Sequence, residues 1–269
     1  MNVRNVVIVT KPKQADVARV AGELIEWFQR KAINASLEAQ SASTADLAVV
    51  VGGDGTLLAA ARLLGDRQIP IVAINHGGLG FLTEVTLEEM YPALELVLAG
   101  QFVTQHRMMM DVLLSRANKR VADYRALNDV VINKGSLSRM IELEARVDGQ
   151  YVSSFRADGL IVSSPTGSTA YNLSAGGPII FPTMSAMVVT PICSHTLTNR
   201  PIVLPEGVKI AIDLRSAHDD VYVTVDGQVG LQLEMDDNLV VAKSGVAVKL
   251  VAPAGKNYFD VLRGKLKWG

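Results

Sequence analysis

The chain opens with a short apolar run, Asn5 to Thr10, and then changes period: Val17, Val20, Ala21, Leu24, Ile25 and Phe28 recur at intervals of three and four. The run predicts a buried strand, and the helical spacing predicts an amphipathic helix over Ala15–Lys31. Leu47–Val51 and Pro70–Asn75 repeat the buried-strand pattern, with the Ala/Leu-rich Thr56–Leu64 between them as a short helix. Thr86, followed by Glu88 and Glu89, opens a further helix that runs to about Ala99 with Pro92 inside it. Strand and helix in alternation imply a parallel, doubly wound α/β sheet.

Near Gly100 and Gln101 the period becomes mostly two. IELEARV and QYVSSFRA flank Asp148-Gly149, and VYVTV and QVGLQL flank Asp226-Gly227. An Asp-Gly pair between alternating runs predicts a hairpin. VKIAIDL, NLVVAKS and VAVKLVA add further strands. The chain therefore divides into an α/β domain over 1–100 and a mainly β, sandwich-like domain over 101–257. Tyr258–Lys267 is helical again, with Phe259, Leu262 and Leu266 on one face, and 258–269 is expected to pack back on the first domain.

Composition narrows the partners. The 269 residues carry a formal net charge of -1, so no global basic field draws in nucleic acid or an anionic membrane. The apolar stretch Val6–Val9 is broken by Lys11 and Pro12, too soon for a signal peptide, and no run is long enough for a membrane span. The single cysteine, Cys193, excludes an intramolecular disulfide and fits a cytoplasmic setting. Its small apolar side chain is expected in the core rather than as a nucleophile.

Two glycine-rich segments fall at predicted strand ends, where open parallel sheets bind ligands. One is Gly52-Gly53-Asp54-Gly55-Thr56; the other is NHGGLGF after Ile74. Glycines let backbone N–H groups approach phosphate oxygens, and a helix N-terminus adds partial positive charge. A side chain at Gly53 is therefore expected to disturb the loop. Leu58 occupies the third glycine position of a dinucleotide fingerprint, and Leu250 and Asn257 break a P-loop around Lys256. Asp54 is the anomaly, since a carboxylate beside a phosphate cradle repels unless it has work to do. It could hold a metal ion, accept a proton from a hydroxyl attacking phosphorus, or simply cap a turn.

Asn128 and Asp129 stand side by side at the start of an apolar strand, where both can reach one ligand. From Arg156 to Pro178 the chain is dense in glycines and small hydroxyls, too poor in apolar side chains for a core element, and suited to wrapping a polar ligand. His76, His106, His195 and His218 are scattered, so no dedicated protein metal site is expected. Asn172 replaces the first glycine of a G-x-S-x-G elbow around Ser174, which argues against a serine hydrolase.

Taken together, these segments resemble the bacterial NAD kinases over nearly the whole chain. The likeness rests on Gly52–Thr56, Asn75 with Gly80-Phe81-Leu82-Thr83, Asn128-Asp129, Asp158-Gly159 with PTGSTAYNLSAGGPI, and Val225-Asp226-Gly227-Gln228. The resemblance implies an α/β nucleotide-binding domain followed by a β-rich domain, with NAD bound between them. It implies transfer of the γ-phosphoryl of ATP, or in some members of polyphosphate, to the 2′-hydroxyl of the adenosine ribose of NAD. It also implies Mg²⁺ with ATP, and assembly as a homodimer or homotetramer. Carried over residue by residue, Asp54 is the general base, Gly55 and Phe81 admit the nucleotide, and Gly52, Gly53 and Thr56 form the phosphate loop. Asn128 and Asp129 hold NAD, although the family more often has Glu at the second position. Thr169, Ala170, Tyr171, Asn172 and Ser174 line the nucleotide site, and Arg139, Arg156, Asp158 and Gln228 make further contacts. A non-catalytic NAD-binding protein on the same scaffold is the rival, but a mere binder has no need of Asp54.

Overall fold

A computed structural model of the chain describes residues 3–11, 15–37, 39–78, 80–135, 140–196, 198–216, 220–252 and 257–268. The chain divides into two compact units, Met1–His106 with Val248–Gly269, and Arg107–Ala247.

The first unit is built on parallel strands β1 (Asn5–Thr10), β2 (Asn34–Ser36), β3 (Leu47–Gly52) and β4 (Pro70–Asn75) in the order β2-β1-β3-β4. The order reverses between β1 and β3, so the carboxyl end of β3 is a topological switch point, where doubly wound sheets bind ligands. All six residues of β3 are buried, as befits a central strand covered on both faces. Helix α1 (Ala15–Arg30) buries Val17, Val20, Ala21, Leu24 and Phe28, the residues whose spacing predicts it. Helices α2 (Asp54–Leu64) and α3 (Met90–Leu98) complete the alternation.

Two helix starts differ from expectation for local reasons. Helix α2 begins at Asp54 rather than Thr56, because extended Gly53 is its N-cap and the Gly53 carbonyl accepts from Thr56 N and Leu57 N. Helix α3 begins at Met90 rather than Thr86. Thr86 N donates to Glu89 Oε2 at 2.9 Å and Glu89 N to Thr86 Oγ1 at 3.4 Å, so this reciprocal box closes a turn ahead of the helix. Pro92 then lies in the first turn, where a missing N–H costs little. The polar edge strand β2 has no periodic signal and escapes the sequence reading.

The second unit holds two antiparallel sheets. One runs through β8 (Ile141–Val147), β9 (Gln150–Ala157), β13 (Lys209–Leu214) and the first part of β16 (Asn238–Ala252), with a hairpin of β5 (Val103–Arg116) and β6 (Lys119–Ala126). The other has the order β12-β11-β10-β7-β14-β15, made of β7 (Asp129–Lys134), β10 (Gly159–Ser163), β11 (Ala186–Ile192), β12 (Ile202–Pro205), β14 (Val221–Val225) and β15 (Val229–Gln232). Their facing side chains, among them Met110, Ile132, Phe155, Leu160, Ile212 and Val223, form one buried cluster, the core of a sandwich. Asp148 and Gly149 take positive φ in the β8–β9 turn, as do Asp226 and Gly227 in the β14–β15 turn, the hairpin chemistry the sequence announces.

Past residue 247 the chain returns to the first unit. Lys249 and Leu250 of β16 pair with β4 in parallel, and α5 (Tyr258–Leu266) follows, capped reciprocally by Asn257 and Asp260. Cys193 is exposed, not buried as expected: it takes φ 47° just after β11, where the chain leaves the sheet. Among the described residues no helix is long and apolar enough to cross a membrane.

Candidate functional site

Asp54 is the first residue of α2, directly beyond the carboxyl end of β3, and its carboxylate is a hub. Oδ2 accepts from Phe81 N at 2.9 Å; Oδ1 accepts from Leu82 N at 3.1 Å, and from Thr83 N and Thr83 Oγ1 at 3.2 Å each. Three successive N–H groups turned toward one anion make a compact nest. Buried Asn75 holds the loop from below, donating through Nδ2 to Gly78 O, Thr83 O and Thr83 Oγ1. Phe81 is half-buried, and Lys265 of α5 places its Nζ 5.9 Å from the centre of the Phe81 ring.

The glycines divide by steric demand. A Cβ on Gly52 would come 2.4 Å from Thr56 Oγ1, and one on Gly80 would come 2.2 Å from Asp54 Oδ1. Gly53 is different: nothing lies within 4 Å of a Cβ there, and its backbone is extended. The expectation that a side chain at Gly53 disturbs the loop is therefore corrected; Gly52 and Gly80 are the close approaches. Buried Thr56 packs beneath Gly52, while Gly55 is exposed on the first turn.

In the second unit, Asn128 and Asp129 stand at the start of β7, as the sequence predicts. Their loop is gathered by a carboxylate that the sequence places only in a hairpin turn. Asp226, on the β14–β15 turn, accepts from Leu127 N at 3.0 Å, Asn128 N at 2.7 Å and Asp129 N at 3.2 Å. From the other side, Ser164 Oγ donates to Leu127 O, Ser164 N donates to Asn128 O, and Gly167 lies so close that a Cβ would meet Asn128 O at 2.1 Å. The Asn128 Oδ1 and Thr166 Oγ1 atoms are buried without a hydrogen-bond partner, a state that a bound ligand or water relieves.

Asp129 is 5% exposed, and burial, reinforced by the Asp226 charge, pushes its carboxyl up from 3.8 to about 7. The folded chain therefore holds more protons than the unfolded one between about pH 4 and 7, and this group's contribution to stability falls as pH rises through that window. Asp129→Asn removes the titration. Thermal melts at about pH 5 and pH 8 should show the Tm of the variant gaining on that of the wild type at the higher pH; a gap independent of pH would contradict the assignment.

The stretch from Arg156 to Pro178 departs from expectation at its start. Gly159–Ser163 is a fully buried strand, not part of a ligand-wrapping loop. Its hydroxyls are tolerated because they are satisfied, Ser163 Oγ donating to Ser164 O at 2.9 Å. The chain then turns through 166–169 into the short helix α4 (Tyr171–Ser174). Tyr171 and Ser174 are exposed, and Thr169 and Ala170 are half-buried. Asn172 is fully buried: it donates to Ser168 O and Pro178 O and accepts from Thr190 Oγ1 at 2.7 Å. That geometry makes it the clamp of the segment.

Asp158 lies toward the opposite end of β7 from Asn128. Asp158 pairs with Lys134 at 3.3 Å, at the far end of β7, about 17 Å from Asp129 at ~3.4 Å per residue. Arg156 is exposed on β9, and Gln228 is exposed on the Asp226 turn. Arg139 and His218 lie outside the described residues.

A family model described as the ATP-NAD kinase N-terminal domain matches residues 10–102, and the ATP-NAD kinase C-terminal domain matches 127–252. The chain belongs to the NAD kinase family. It is 47% identical to the NAD kinase of Geotalea daltonii and 48% identical to that of Geobacter metallireducens, covering 99% of each chain in both pairs. Among solved structures, yeast NADH kinase complexed with NADH superposes with a TM-score of 0.89 at 25% identity, covering 100% of this chain and 88% of that one. An Archaeoglobus fulgidus NAD kinase in complex with ATP gives 0.79 at 26%, covering 98% and 100%. Both superpositions span this chain's α/β half and its mainly β half.

Among the described residues, no three His, Cys, Asp or Glu side chains cluster as a metal centre. The groups around Asp54 are N–H and O–H donors, and the anion they serve is its own carboxylate.

Proposed function

We propose that this chain phosphorylates NAD to NADP, taking the γ-phosphoryl of ATP onto the 2′-hydroxyl of the adenosine ribose. The new bond joins the 2′-oxygen to phosphorus, the bond to the β-phosphate oxygen breaks, ADP leaves, and the hydroxyl proton passes to Asp54. The observation that carries this reading is the uneven load on the Asp54 carboxylate. Oδ1 accepts three hydrogen bonds and Oδ2 one, so Oδ2 keeps a lone pair for the attacking hydroxyl. Phosphoryl transfer has a loose transition state, in which holding the acceptor oxygen in line carries much of the rate. A carboxylate fixed by four donors is suited to that.

Asn128 and Asp129 hold the dinucleotide in this reading, with the buried Asn128 Oδ1 accepting from the ligand. The other contacts carried over are Gly55, Phe81, Arg139, Arg156, Asp158, Thr169, Ala170, Tyr171, Ser174 and Gln228. Mg²⁺ would arrive with ATP and supply charge neutralisation at its phosphates, a role that asks for few protein ligands. Self-association as a homodimer or homotetramer, which light scattering would read, completes the proposal, as does a cytoplasmic setting. Incubation with Mg-ATP or polyphosphate and NAD, with NADP assayed enzymatically, is the direct test. NADP is expected with ATP; NAD binding without product from either donor would leave only a binding protein.

A further inference from the structure

Asp226 is 7% exposed, and its turn meets Leu127, Asn128 and Asp129 from about a hundred positions further along the chain. Besides collecting the three N–H groups, Asp226 donates its own N–H to Asp129 O at 2.9 Å. The contact is thus closed in both directions. A neutral amide at this position would turn N–H toward N–H at one of its two atoms. The loop so held presents the buried, unpartnered Asn128 Oδ1. On the opposite side Gly167 and Ser164 leave Asn128 no room to retreat.

We propose that Asp226 is a positioning residue for dinucleotide binding: its carboxylate fixes the backbone of 127–129 and so aims the Asn128 and Asp129 side chains at the ligand. The inference rests on the reading that this pair holds NAD. It has a second consequence that a purely structural anchor lacks. Asp226 is the charged group that acts on Asp129. Ser163, the register partner of Asp129 on β10, and Ser164 beyond it are uncharged. The ease with which Asp129 gives up its proton therefore depends on the charge of Asp226.

The test compares wild type with Asp226→Asn, measuring kcat, KM for NAD and KM for ATP, and kcat/KM for NAD across about pH 5.5 to 9. The variant should raise KM for NAD about tenfold or more, with KM for ATP within about twofold and kcat within about threefold. Any inflection that Asp129 contributes should move to lower pH in the variant, because the like charge is gone. Asp226→Glu keeps the charge but displaces it by one methylene. It should raise KM for NAD and leave the inflection in place, and it serves as the second variant if Asp226→Asn does not fold. A folded variant with unchanged KM for NAD, or with both KM values raised equally, overturns the inference. If the wild type makes no NADP, the proposed function fails instead. Calorimetric titration with NAD then decides the inference alone, through weakened binding in the variant or its absence.

Discussion

Asp54→Asn should lower turnover at least about a hundredfold, the usual lower range for a lost general base. The substitution also disturbs the loop in a way that the hydrogen bonds specify. An amide oxygen placed at Oδ1 keeps Leu82 N, Thr83 N and Thr83 Oγ1 as donors. The NH₂ group then takes the Oδ2 position and faces Phe81 N, donor against donor. About 1–3 kcal/mol of local stability is at stake there. Base and anchor are therefore separable by kinetics. If Asp54 only holds the loop, KM for the nucleotides should rise along with the fall in kcat. If it takes the proton, kcat should fall far more than either KM rises. Turnover within about threefold of wild type would end the base assignment.

Gly167→Ala should be the most damaging conservative change in the second unit. Its Cβ would stand 2.1 Å from Asn128 O and 2.4 Å from Asn128 C, atoms of the main chain that no rotamer change moves aside. Relief requires shifting either the turn at 166–169 or the start of β7, against the bonds from Ser164 and Asp226. Overpacking of this kind costs about 1–3 kcal/mol, and more where both partners are backbone. Differential scanning calorimetry should show a Tm several degrees lower, and NAD affinity should fall because Asn128 is the atom group displaced. An unchanged Tm together with unchanged affinity would contradict a steric role for Gly167. Gly176, where nothing lies within 4 Å of a Cβ but φ is 85°, is the contrast: there alanine meets backbone strain and no collision.

What the sequence discloses and hides follows from the range of the forces involved. Helix α1 is plain because its apolar residues recur at the period of the helix and all five buried ones face one core. Strand β3 is plain because both its faces are covered. The two hairpin turns are plain because their Asp-Gly pairs carry the positive φ that the turns demand. Strand β10 is hidden because a buried serine with a satisfied hydroxyl looks, in one dimension, like a loop residue. The start of α3 is misplaced because the same Thr86–Glu89 pair that signals a helix closes a turn before it. At the site, the local pieces are legible, namely Asp54 among its glycines and Asn128 beside Asp129. The partners that fix them are not. Phe81 to Thr83 and Asp226 reach their targets across 27 or more positions of chain, and no periodicity encodes such a meeting.

Apart from the Thr83 hydroxyl, both loops are held through their peptide groups rather than through their own side chains. Evolution and protein engineers alike are thereby left with unusual latitude: the half-buried positions Phe81 and Asn128 can be randomised to seek new substrate preferences while the scaffold beneath them stays put. Proline is the one residue that such a library must omit, since it alone arrives without the hydrogen that the acid grips.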